Sequence, residues 1–272
     1  MANGILKGKK GIVFGALNEA SIAWKVAQRC IEEGAEIILT NAPVAKKIGQ
    51  TEDLAKELKT EVIYCDVTKM EDLENLVSQS MEKLGGKLDF VLHSVGMSLN
   101  VRKKKAYTDL NYDWMHTSLD ISAMSFHRLM QVLWKQDAVK DWGSIMALTY
   151  IAAQRTFPDY SEMAEAKSML ESIARSFGYH YGTAKKVRVN TISQSPTMTT
   201  AGSGVGGFDA FFNYADKMSP LGNASADACA DYVITMFSDY TKMVTMQNLY
   251  HDGGFSNTGI SADLMDSFRD PE

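Results

Sequence analysis

The 272-residue chain has no apolar run approaching the length of a membrane-spanning helix, which excludes a helical membrane protein. Its opening residues, Met1-Ala2-Asn3-Gly4-Ile5-Leu6-Lys7, lack the long apolar core of a secretion signal, so a cytoplasmic location is expected. Cysteine is scarce. Cys30, Cys65 and Cys229 stand far apart and form no CxxC pair, which argues against a disulfide framework and against a zinc site; no metal is expected. Positive charge is in deficit, 28 Lys and Arg against 33 Asp and Glu, and the net charge of −5 works against a global attraction to nucleic acid. No Pro/Gly/Ser linker divides the chain and no segment repeats, so one domain over residues 1–272 is expected.

What is present is an alternation of strand-like and helix-like segments. Gly11-Ile12-Val13-Phe14-Gly15 is a short apolar run ending in glycine. Residues 21–33 then place Ile22, Ala23, Val26, Ala27, Cys30 and Ile31 at helical spacing. Further buried strands are expected at residues 36–40, 61–65, 88–93, 144–149, 187–192 and 247–251, with a helix over about 71–84. Near-continuous apolar strands separated by helices predict a doubly wound, Rossmann-type α/β fold, a parallel sheet of about seven strands with helices on both faces. Residues 196–220 are the least regular stretch and are expected to form a substrate-binding lid, with glycines for hinging and Phe208, Phe211, Phe212 and Tyr214 as an apolar face.

In such a fold ligands bind at the carboxyl ends of the strands. The first strand leads into Gly15-Ala16-Leu17-Asn18-Glu19-Ala20-Ser21-Ile22, which is not GxGxxG. Gly15 can make the tight turn, and the amides at the helix start, with the Ser21 hydroxyl, can hold a pyrophosphate. A plain turn with a serine cap reads equally well. A literal GxGxxG match at Gly202, Gly204 and Gly207 is rejected as a dinucleotide site, because no strand runs into it and it lies late in the chain. Asp66, beside Val67, closes the third strand, where its carboxylate can meet an adenine amino group. Ser94-Val95-Gly96 closes the fourth, where small residues let a cofactor pass close to the backbone. Taken singly, each is also ordinary turn chemistry.

Beyond the fifth strand come Tyr150 and then Pro158-Asp159-Tyr160, with Lys167 seven residues after Tyr160. If Pro158 opens a helix that continues through Ala166, Leu170, Ile173 and Phe177, Tyr160 and Lys167 share a face about 10 Å apart along the axis. A lysine there can reach a bound ribose, and a tyrosine hydroxyl can donate to an oxygen gaining negative charge. A surface Tyr and Lys on an amphipathic helix would look the same.

Taken in order, these motifs resemble the short-chain dehydrogenase/reductase superfamily and, within it, the bacterial enoyl-acyl carrier protein reductases. The specific elements are Gly15 followed by Ser21-Ile22, His93-Ser94-Val95-Gly96, Tyr150, the seven-residue step from Tyr160 to Lys167, Arg188-Val189-Asn190-Thr191-Ile192-Ser193 with Pro196, and His251-Asp252-Gly253-Gly254-Phe255. Ordinary superfamily members space Tyr and Lys four apart and carry a catalytic Ser on the preceding strand. The resemblance implies cofactor contacts at Gly15, Ser21, Ile22, Asp66, Val67, Ser94, Val95, Gly96, Lys167 and Thr199. It implies a substrate site at Ser98, Tyr150 and Tyr160, and a catalytic set of Tyr150, Tyr160 and Lys167. It further implies a homotetramer that reduces a trans-2-enoyl group on acyl carrier protein during fatty acid elongation. Hydride would add to the β-carbon, Tyr160 would donate to the enolate oxygen, and Lys167 would hold the nicotinamide ribose.

One position departs from the family. After the second strand the chain reads Thr40-Asn41-Ala42-Pro43, with no acid for a ribose 2′-hydroxyl and with Ala42 where the family often has Gln. NADH is the expected cofactor, while Lys46 and Lys47 are close enough in sequence to serve the 2′-phosphate of NADPH. The run Arg102-Lys103-Lys104-Lys105 can steer an acidic carrier protein or simply be a solvated loop. A carbonyl-reducing relative and a non-catalytic cofactor-binding regulator are the alternative functions.

Overall fold

Strands β1 (Lys10–Phe14), β2 (Glu36–Thr40), β3 (Glu61–Val62), β4 (Leu88–His93), β5 (Val139–Thr149), β6 (Arg188–Gln194) and β7 (Asn248–His251) form one sheet in a computed structural model that describes residues 3–200 and 207–269. The order is β3-β2-β1-β4-β5-β6-β7, and every pairing is parallel. Parallel neighbours need crossovers, and helices supply them: α1 (Ile22–Glu32), α2 (Ala45–Ile48), α3 (Thr51–Leu58), α4 (Met70–Leu84), α5 (Leu99–Arg102), α6 (Tyr112–Leu119), α7 (Ser125–Lys135), α8 (Met163–Lys185), α9 (Phe208–Met218) and α10 (Ala226–Phe237); α11 (Ala262–Asp266) follows β7. A π-helical turn, Asp120–Met124, joins α6 to α7.

Side chains alternate across each strand, so the sheet feeds two cores. Ile12, Phe14 and Val91 point to the layer built by α4, α7 and α8, among Leu73, Leu76, Phe126, Leu129, Leu170 and Ile173. Val13, Phe90 and Leu92 point to the layer built by α1 and α10, among Trp24, Val26, Ala27, Val233 and Ile234. Both faces are covered, which is why the strands read as nearly unbroken apolar runs. The winding reverses between β1 and β4, so the crevice for a ligand opens at their carboxyl ends. Among the described residues, no helix is long and apolar enough to cross a membrane. Cys30, Cys65 and Cys229 are free and buried, and burial pushes all three thiols up, Cys65 and Cys229 to about 12.

Two expectations are corrected. The third strand is not paired through Cys65: the ladder covers only Ile38↔Glu61 and Leu39↔Val62. Beyond it, single bonds from Ile63 N to the Leu39 carbonyl (3.0 Å) and from Cys65 N to the Asn41 carbonyl (2.9 Å) tie down this sheet edge. More consequentially, Tyr160 and Lys167 do not lie on one continuous helix. Pro158–Tyr160 is a separate 3-10 turn, Ser161 follows at φ 50° and ψ −144°, and α8 begins only at Met163. No right-handed helix passes through a residue in that conformation.

Candidate active site

Gly15 ends β1 at φ 91°, and a Cβ there would lie 2.0 Å from the Ser94 carbonyl oxygen. Only glycine lets the β1 and β4 ends approach so closely. The loop that follows is organised by Ser21, whose Oγ accepts from the amides of Leu17 and Asn18, each at 3.2 Å. Helix α1 then starts at Ile22. Asn18 Nδ2 donates to Thr200 Oγ1 at 2.8 Å, which draws the chain around Thr199 to the same loop.

Beside this loop Phe14, Gly15, Thr40, Asn41, Ala42, Asp66, Val67, Val95 and Ile121 line one cleft. It collects the ends of β1, β2 and β4, the segment after β3, and the π-helical turn. Burial raises the Asp66 carboxyl, but hydrogen bonds from Thr68 N (3.1 Å) and Thr68 Oγ1 (2.7 Å) and the Lys69 charge outweigh it, and its pKa lies below the usual range. Ala42 leaves room in the cleft where a longer side chain would intrude. Lys46 lies 3.9 Å from Glu52, which offsets part of its charge.

At the other end, Tyr150 follows β5 and is 8% exposed. Its ring packs against Tyr160 (5.1 Å between centroids), Phe157 (5.5 Å) and Phe211 of α9 (5.9 Å). Its hydroxyl is buried and has no hydrogen-bond partner among the described residues. Tyr160 is only half-buried; its ring leans on Val101, Met163 and Ala166. Burial raises both phenols above their ordinary values. The two tyrosines therefore converge by the backward fold of the 3-10 turn.

Lys167 projects from α8 and is 8% exposed; its Nζ donates to the Leu148 carbonyl at 2.9 Å. A Cβ on Gly96 would lie 3.9 Å from that Nζ, so the loop after β4 passes directly over the ammonium. Burial pushes Lys167 down to about 8, opposed by the Glu171 carboxylate. Glu171 is buried and accepts from Thr149 Oγ1 (2.9 Å), Gln154 Nε2 (3.2 Å) and Asn248 Nδ2 (3.2 Å). Burial raises its own pKa against those bonds.

Of the remaining expected residues, Ser98 is 5% exposed and gives its proton to Glu162 Oε1 at 2.6 Å, while accepting from Val101 N at 3.0 Å. The residues 102–105 are exposed. In the rejected glycine motif Gly207 caps α9 at φ 68°, while Gly202 and Gly204 lie outside the described residues. Sequence reasoning missed Glu162, Glu171 and Ile121. Glu171 carried one available signal, its position four residues after Lys167 on the same helix face.

The family model described as enoyl-(acyl carrier protein) reductase matches residues 15–256. The chain is 34% identical over 264 residues to enoyl-[acyl-carrier-protein] reductase [NADH] 1 of Rhizobium meliloti, covering 96% of this chain and 95% of that protein. The corresponding NADH enzyme of Rickettsia conorii is 32% identical, with 95% and 98% covered. The crystal structure of a FabI–NADH complex from Alistipes finegoldii superposes with a TM-score of 0.96 at 60% identity, covering 99% of this chain and 95% of that one. With its motifs in order, its sheet topology and these matches along nearly its whole length, the chain belongs to the enoyl-acyl carrier protein reductases of the short-chain dehydrogenase/reductase superfamily.

Proposed function

We infer that the chain performs its family's reaction, the NADH-dependent reduction of a trans-2-enoyl-acyl carrier protein to the saturated acyl form in fatty acid biosynthesis. The observations that carry the reading are the Tyr150–Tyr160 ring pair after β5, the buried Lys167 under the Gly96 loop after β4, and a cleft lined by Gly15 and Asp66 at the carboxyl ends of the same sheet.

The residues fit a dinucleotide. Gly15 keeps clear a space that a Cβ would fill, and Lys167 spends one N–H on Leu148 while its ammonium keeps others for ribose hydroxyls. When bound, the nicotinamide supplies the hydride. Gly15, Ser21, Ile22, Asp66, Val67, Ser94, Val95, Gly96 and Thr199 would hold the cofactor along the cleft, and Lys167 would orient its ribose and add positive charge near the reacting thioester. As hydride reaches the β-carbon, negative charge grows on the thioester oxygen, Tyr160 donates a hydrogen bond to that oxygen, and the α-carbon then takes up one proton from the aqueous medium to complete the saturated acyl group. Tyr160 is assigned this role because it is half-buried, whereas the Tyr150 hydroxyl is buried and without a hydrogen-bond partner among the described residues. Tyr150 then shapes the pocket beside it, with Ser98 behind. The lid at residues 196–220, of which 201–206 lie outside the described residues, the single domain over 1–272, the homotetramer and the cytoplasmic location belong to the same reading.

The test is substrate choice. Purified protein should oxidise NADH steadily with a trans-2-enoyl thioester and be much slower with a 3-ketoacyl thioester. Preferential ketone reduction would move the protein to the carbonyl-reducing branch of its superfamily.

A further inference from the structure

Glu162 lies two residues after Tyr160 and five before Lys167, at the start of α8, and its exposure is 0%. Its Oε1 accepts from Ser98 Oγ (2.6 Å), Ser118 Oγ (2.7 Å) and Asn100 Nδ2 (3.3 Å). Ser98 is the N-cap of α5, Asn100 lies within α5, and Ser118 belongs to α6. One oxygen thus gathers the loop after β4 and two further helices onto the residue between Tyr160 and Lys167. Burial raises the carboxyl, but the donors, led by Ser98 and Ser118, outweigh it, so the group stays ionised. Among the described residues no lysine or arginine pairs with it. A buried carboxylate held by neutral donors is a poor source of stability, since an apolar residue of the same shape often serves as well. Its Oε2 is buried without a hydrogen-bond partner among the described residues, so the geometry it supplies is fixed through Oε1 alone.

That geometry bears on the site. The loop fastened at Ser98 is the one that carries Gly96 over the Lys167 ammonium, and Met97 N is held in turn by Ser122 Oγ at 3.0 Å. On the other side, the Ser161 conformation leaves Tyr160 outside the ladder of α8; its N donates instead to the Phe157 carbonyl at 3.1 Å within the separate 3-10 turn, so α8 itself does not fix its place. We propose that Glu162 is a positioning residue, whose carboxylate pins the loop after β4 and α6 to the start of α8 and thereby sets where the Tyr160 hydroxyl stands relative to Lys167 and the substrate. The proposal rests on the assignment of Tyr160 as donor to the thioester oxygen.

The experiment measures kcat with saturating NADH and trans-2-enoyl thioester, together with NADH affinity and the melting midpoint. Glu162→Gln retains an acceptor oxygen where the three donors meet, and its kcat should stay within about threefold of the parent. Glu162→Leu keeps bulk and removes the acceptor. Its kcat should fall at least about tenfold, since displacements near 1 Å carry costs up to a hundredfold, with NADH affinity changed less than about threefold. Leu73→Ala, in the core of α4, is the control: it should lower the midpoint and leave kcat at the assay temperature intact. A folded Glu162→Leu protein with undiminished kcat, or a Gln variant as impaired as the Leu variant, overturns the proposal. If the Leu variant does not fold, Ser118→Ala decides: about a threefold loss of kcat supports the proposal, and no loss overturns it. Tyr160→Phe separates the two levels. If it slows turnover about a hundredfold while Glu162→Leu does not, only the positioning role fails. If Tyr160→Phe turns over normally, the assignment of Tyr160 fails and the positioning role fails with it.

Discussion

At Lys167, burial brings the pKa down to about 8, while the Glu171 carboxylate four residues on favours the ammonium. Ribose anchoring and stabilisation of the enolate both use the protonated form. Raising the pH through about 8 therefore removes the active species. Neither tyrosine can supply such a limb, because burial moves both phenols upward. The profile of kcat/KM for NADH should fall above pH about 8 in the parent protein, and Lys167→Met should be weakly active with no limb in that range. A parent profile flat to pH about 10 would take Lys167 out of the titrating machinery. Tyr150, Tyr160 and Lys167 were legible in the sequence as candidates, by a spacing that matches a family. Their geometry was not. A helical reading from Tyr160 to Lys167 assumes right-handed backbone throughout, and nothing in the neighbouring residue types announces Ser161 at φ 50°. Glu162 and Glu171 escaped for a related reason: a glutamate on a helix reads as solvated face, and its burial depends on donors distant in the chain.

Among the elements, the strands were the most legible, because burial on both faces leaves an apolar run that few helices share. β3 was overread since it is an edge with one neighbour, and two ladder pairs suffice there. The α9 segment stands between these cases. Its apolar residues do face inward: Phe208, Ala215 and Met218 are buried, and Phe211 packs on Tyr150 and Phe157. Phe212 is half-buried and Tyr214 exposed, with Tyr214 touching only the Phe255 ring edgewise among its aromatic neighbours. The helix thus meets Tyr150, Phe157 and Phe255 by a few ring contacts, an arrangement suited to opening at modest cost. Hydrogen-exchange protection over residues 208–218 should rise when NADH and a saturated acyl thioester are added together. Equal protection with and without them would make α9 a fixed wall instead of a lid.

Across the whole molecule the net charge is −5, so an acidic acyl carrier protein meets repulsion at long range and needs a local basic patch to approach productively. The candidate for such a patch is the run at the end of α5. Arg102, Lys103 and Lys104 are exposed, and among the described residues no acidic side chain lies within 4.0 Å of their charged groups; Lys105 is partly neutralised by Asp109 at 3.4 Å. The same loop leads from Ser98, behind the candidate site, so a carrier docked there would stand near the pocket through which its acyl chain must pass. Charges exposed in this way act over about one Debye length, some 8 Å at physiological salt. Reversing them by Lys103→Glu and Lys104→Glu should cut kcat/KM for carrier-bound enoyl substrate about tenfold at low salt, and leave a small enoyl thioester within about twofold. Added salt should close the gap, because it screens the parent's attraction and the variant's repulsion alike. An equal effect on both substrates would mean that the run is a solvated loop and that the carrier docks elsewhere. A difference that persists at high salt would point to a short-range contact in place of steering, since screening removes only the long-range part of the interaction.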